Sequence, residues 1–111
     1  MEDIIELIYL LRESKKHFKK NKYFIYLLDT IIIPRIEQDT AMNHYSFKED
    51  ERHKFFEFKI DFVVCLLIID KEKDYYYFSF SNILNDKYIV LRENLKADIN
   101  DVNRILFDIF D

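Results

Sequence analysis

Glycine is absent from this chain of 111 residues. Average usage would give roughly eight, and glycine ordinarily fills left-handed turn positions without steric cost. Those positions must fall to Asn and Asp, whose short polar side chains tolerate that region. Asn21, Asn43, Asn82, Asn85 and Asn94 are the candidates. The same absence removes whole classes of chemistry. A phosphate-cradling P-loop, a Gly-rich dinucleotide turn, an EF-hand loop and a strained nucleophile elbow each need backbone positions that tolerate no side chain. Nucleotide-driven enzymes and Ser-elbow hydrolases are not expected.

The length fits one domain spanning 1–111. Half the residues are apolar and 34% are charged, the balance of a globular protein. With 11 Phe and 8 Tyr, a chain this short cannot hide every ring, so some Tyr should reach the surface. Ala and Pro are scarce while Lys, Asn, Ile, Phe and Tyr abound, a bias of AT-rich coding found in low-GC bacteria, phages and mobile elements. The net charge of −4 argues against a general nucleic-acid binder. A lone Cys65 cannot form an internal disulfide, and its place in the apolar run Val63–Ile69 marks a buried structural thiol. That run falls far short of the roughly twenty residues needed to cross a bilayer. Glu2 and Asp3 carry the wrong sign for a secretory leader, so a cytoplasmic protein is expected.

Periodicity gives the fold class. Ile4, Leu7, Ile8, Leu11 and Phe18 recur at helical spacing over 3–20, with acids at the start and Lys15, Lys16, Lys19 and Lys20 at the end. Residues 22–33 fit a helix or a buried strand, and a helix ending before Pro34 is favoured. The stretch 37–54 is a polar connection with room for a short strand at Tyr45–Lys48. From Phe55 the period becomes two, then the run is wholly apolar to Ile69. One long strand with a bulge or bend near Val63 is expected. Strands follow over Tyr75–Phe80 and Lys87–Arg92, joined by connections too short for parallel neighbours. Asp98 is a candidate N-cap for a helix with Ile99, Val102, Leu106 and Ile109 as its apolar stripe. The expectation is a two-layer α+β domain: an antiparallel meander of three to four strands packed against N- and C-terminal helices.

Three constellations carry chemistry. His44 and His53 flank Glu49, Asp50 and Glu51, but their spacing suits no shared metal ion, and His17 lines a helix surface. No metal and no cofactor are expected. Glu57-Phe58-Lys59 matches the Glu-x-Lys of metal-dependent nucleases, with Asp50 or Asp61 as a third group. Two acid-x-Lys strings occur, no more than a chance arrangement of these residues gives. Tyr75-Tyr76-Tyr77 is the better lead. If Tyr76, Phe78 and Phe80 face the core, Tyr75 and Tyr77 face outward, as a rigid aromatic surface suited to an interface. Asp70, Glu72 and Asp74 would form its rim and repel phosphate.

The expected role is therefore binding rather than catalysis: an inhibitor or neutraliser of another macromolecule, such as an immunity protein, antitoxin or anti-defence factor. The partner would be a protein, with no nucleic acid and no membrane. The alternatives are a nuclease using Glu57 and Lys59, and a nucleic-acid binder using the cluster Lys15 to Lys22.

Overall fold

The computed structural model describes residues 2–38, 45–93 and 98–110. Its sheet is an antiparallel meander in the order β1-β2-β3-β4-β5, comprising β1 (Tyr45–Glu49), β2 (His53–Ile60), β3 (Val63–Asp70), β4 (Tyr75–Asn82) and β5 (Lys87–Arg92). The α-helices are α1 (Glu2–Ser14), α2 (Lys22–Leu27), α3 (Ile33–Gln38) and α4 (Ile99–Phe110). They cover one face of the sheet, giving the α+β class expected, with five strands instead of three to four.

The extra strand comes from the run Phe55–Ile69. It folds back as a hairpin at Asp61 and Phe62, pairing Ile60 with Val63 and Phe56 with Leu67. No bulge is needed, because Asp61 adopts φ 52° and reverses the chain in two residues. Asp74 (φ 50°) and Asp86 (φ 57°) take the left-handed position at the end of the longer loops of the next two hairpins. The left-handed positions thus go to Asp alone among the described residues, not to Asn21, Asn82 or Asn85; Asn43 and Asn94 lie outside them. Asn82 and Asn85 act through their side chains. Their Oδ1 atoms accept from Leu84 N–H (2.9 Å) and Lys87 N–H (3.0 Å), closing the β4–β5 loop. Their Nδ2 groups donate to Ile109 O (2.8 Å) and Asp108 O (3.3 Å), supplying donors that the last carbonyls of α4 lack.

The helical side corrects two expectations. α1 stops at Ser14, not at residue 20, because Lys15, Lys16 and His17 donate to carbonyls three residues back. The Ser14 hydroxyl, buried, donates to Leu11 O at 2.6 Å. The second helix continues through Pro34. Between α2 and α3 lies a π-helical turn, Leu28–Ile32, in which Ile33 N–H donates to Leu28 O, five residues back. The wider turn makes room for a ring that lacks an N–H and would crowd the preceding turn of a regular helix. At α4 the cap is as expected: Asp98 Oδ1 accepts from Asn100 N–H at 2.8 Å. Val102, Leu106 and Ile109 are buried, while Ile99 stays exposed.

One core joins these layers. Phe24 stands at its centre, its ring 5.2 Å from Phe18, 4.8 Å from Phe78 and 5.8 Å from Phe80. Cys65 is fully buried, and burial pushes its thiol pKa up, so it stays an unreactive apolar group. Among the described residues no helix is long and apolar enough to cross a membrane.

Two outcomes are expected in urea unfolding. Phe24→Ala should cost about 3–5 kcal/mol, since it empties the ring cluster. At Asp61, whose side chain among the described residues otherwise meets only Arg35 at 3.2 Å, Ala should cost about 1 kcal/mol while Gly should be neutral or stabilising. Equal losses for Ala and Gly would show that φ is not the constraint.

Candidate functional site

The period of two sends alternate residues of every strand to opposite faces. Phe56, Phe58, Cys65, Leu67, Tyr76, Phe78, Phe80 and Leu91 enter the core under the helices. Among the described residues no helix lies on the other face, and antiparallel sheets commonly leave one face to water. Its side chains line up in rows set by the pairing register. One row reads Lys48, Phe55, Ile68, Tyr77, Arg92 across all five strands. The next reads Ser46, Glu57, Leu66, Ser79, Val90. Phe55, Leu66, Ile68, Tyr75 and Tyr77 are half-buried, shielding one another rather than lying under another layer.

Tyr75 and Tyr77 lie side by side on this face, ring centroids 4.6 Å apart and edge to face. Arg92 Cζ sits 5.8 Å from the Tyr77 centroid, within cation–π range. Ser46, Lys48, Phe55, Glu57 and Leu66 line a shallow depression of about 330 Å³. The row therefore has an aromatic and aliphatic middle with a cation at each end. Phe55, Lys48 and Arg92 have no local sequence signal; only the register brings them beside Tyr77.

The acids do not form the rim expected. Asp70 is 3% exposed. Its Oδ2 accepts from Arg52 Nε (3.1 Å) and Nη2 (3.0 Å), and its Oδ1 accepts from the backbone N–H of Glu72 (3.1 Å) and Lys73 (3.3 Å). Asp70 is thus occupied in closing the β3–β4 loop. Asp74, exposed, approaches His17 Nε2 at 3.9 Å, and His17 packs on the Tyr76 ring, on the helical side. Burial, with Asp74 and Glu13 adding to it, pushes the Tyr76 phenol up to about 12. Glu72 alone remains an exposed acid beside the face, 3.8 Å from Arg52 Nε.

Glu57 and Lys59 share the open face, as the strand period requires, but among the described residues no acid joins them. Glu57 faces Ser46 and Leu66 across the strands. Asp61 pairs with Arg35. Asp50 accepts from the N–H of Arg52 (2.8 Å) and His53 (2.6 Å) in the β1–β2 turn. Among the described residues no group of three His, Cys, Asp or Glu side chains is placed to hold a metal ion, and His44 lies outside those residues. In the Lys cluster, Lys15 pairs with Asp29 (2.9 Å) and Lys16 with Glu13 (3.2 Å), while Lys19, Lys20 and Lys22 are exposed. No protein-family model, curated protein or solved structure matches the chain.

The turn carboxylates make stability depend on pH. The Arg52 guanidinium holds the Asp70 carboxyl below its usual range, and the N–H groups of His53 and Arg52 do the same for Asp50. A depressed folded pKa contributes stability that is complete above the unfolded value, about 4, and is lost as pH falls through the folded value. Thermal melts from neutral pH downward should show the loss beginning below about pH 4. Asp70→Asn and Asp50→Asn should each lower the neutral-pH stability and flatten the acid limb. An unchanged acid limb in both variants would mean that these turns do not carry it.

Proposed function

We propose that the chain is a small protein-binding domain that inhibits or neutralises another macromolecule inside the cell, acting through the open face of its sheet. The observation that carries this is the row Lys48, Phe55, Ile68, Tyr77, Arg92, presented on a rigid five-stranded sheet. Half-buried Tyr on a strand offers large contact area at small entropic cost. The cations at both ends favour a partner with an apolar ridge flanked by carboxylates.

A second reading uses the same row. Bases stack on Tyr and Phe rings while cations meet phosphates, so single-stranded nucleic acid fits an aromatic row ended by Lys48 and Arg92. Asp70 weighs little against it, because Arg52 neutralises that carboxylate.

Capture from the native host with wild-type protein and with a Tyr75→Ala/Tyr77→Ala variant separates these readings. The expected result is one stoichiometric protein partner on the wild type, released from the folded variant. In kinetics on that partner, Tyr77→Ala should raise the dissociation rate, by about 2 kcal/mol if the ring is a hot spot. Glu72→Lys should instead alter the association rate at low salt. Folded Tyr variants with unchanged affinity would remove this face. Recovery of nucleic acid alone would establish the second reading.

A further inference from the structure

The two edges of the sheet are built differently. β1 is five residues long and exposes Lys48 and Glu49, the short charged edge with which sheets discourage pairing. β5 is the other edge strand among the described residues, and it carries its charges only at its two ends. Tyr-Ile-Val-Leu runs between Lys87 and Arg92, with no Pro, and its pairing to β4 is unbroken from Tyr77–Arg92 to Asn82–Lys87. Tyr88 is 68% exposed and Val90 38%. A strand with an apolar, unprotected outer edge is a template for another strand.

We propose that β5 pairs antiparallel with β5 of a second copy of this chain, joining two sheets into one about a twofold axis. The inference does not rest on the role assigned to Tyr75 and Tyr77. Its support is the self-complementarity of β5, which depends on register. In an antiparallel self-pair the two residue numbers add to a constant. An odd sum that uses the whole strand sets Lys87 against the partner's Arg92, like charges twice over by symmetry. It also sets the core-facing Ile89 against the open-facing Val90 of the other copy, so the helices of the two copies would fall on opposite sides.

An even sum keeps both helical layers on one side. Centred on Ile89, it places Tyr88 opposite the partner's Val90, an aromatic–β-branched pair of the stabilising kind. It also places Asp86 opposite the partner's Arg92. Among the described residues Asp86 and Arg92 have no ion-pair partner, and Arg92 has only the Tyr77 ring against its guanidinium. Centred one residue later, Lys87 would meet the partner's Glu93, but Glu93 turns its Oε2 inward, buried 2.7 Å from His17 Nδ1. The Ile89-centred register therefore satisfies both charges without breaking an existing contact.

Sedimentation velocity on the full chain over the micromolar range tests this. The wild type should sediment as a dimer of 13.7 kDa chains. Val90→Lys, a change at an exposed position, should give a monomer with an unaltered circular dichroism spectrum. Asp86→Asn keeps the left-handed tolerance and removes the charge, and should weaken the dimer. Arg92→Asp should weaken it by about tenfold or more, since symmetry counts the change twice. Combining Arg92→Asp with Asp86→Asn removes the facing carboxylates while keeping the left-handed turn, and should recover part of that loss. A monomeric wild type, a dimer indifferent to Val90→Lys, or a double variant no better than Arg92→Asp alone would each overturn the proposal.

Discussion

Reversing a chain four times without glycine is the constraint on which this structure depends. A left-handed residue with a Cβ is disfavoured, and Asp is among the few that accept it because its carboxylate can bond locally. Asp61, Asp74 and Asp86 take those positions at φ 52°, 50° and 57°. At the β1–β2 turn Asp50 instead folds the backbone around its carboxylate. Each turn fixes the register of the hairpin that follows, and register fixes which residues point to which face. The sheet's ends are then clipped in pairs. Lys71 N–H donates to Arg52 O at 2.7 Å, tying the β3–β4 loop to β1–β2; at the other end Ile83 N–H donates to Phe62 O at 3.0 Å. A one-residue slip at any turn would carry a strand's Phe and Tyr residues from core to water.

The sequence makes the class legible because hydrophobic period and loop length are local properties. Alternation over β2, the short connections after β3 and the Asp98 cap are visible without tertiary knowledge. The β2–β3 hairpin is not, for a specific reason. Its turn, Asp61-Phe62, ends in a large apolar residue, so the hydrophobic run continues across the reversal. Phe62 is 52% exposed, yet its chemistry matches its buried neighbours. The passage of the second helix through Pro34 is hidden similarly, since a π-helical turn has no compositional mark.

For the candidate site the division is sharper. The outward direction of Tyr75 and Tyr77 follows from the period of two alone. Their neighbours do not, because Phe55, Ile68 and Arg92 reach them from three other strands through registers that the turns decide. The acids mislead for a related reason. A carboxylate beside a strand end reads as surface charge, but in a chain lacking glycine it is the first candidate for closing the turn. Asp70 shows this most clearly, with both oxygens taken by Arg52 and the loop backbone.

That reassignment changes what the net charge means. The total of −4 counts every acid equally, yet a partner senses only charges left uncompensated near the surface it touches. Asp50, Asp61 and Asp70 serve turns or pair with arginine, and Asp29 and Glu37 pair with Lys15 and Arg12 on the helical side. The open face meanwhile carries Lys48, Lys59 and Arg92 against Glu57. An acidic protein thus presents a locally cationic aromatic surface. Bulk charge governs long-range approach, but at contact local charges decide, and on the proposed reading these cations would select anionic groups on a partner. At the β1–β2 turn Glu49 is paired with Lys71 at 3.0 Å, which leaves Glu51 as the acid just past the Lys48 end of the row. On the proposed reading Glu51 would oppose an anionic group there, so a partner carrying one carboxylate flank would be steered away from that turn, toward the Lys59 side of the face.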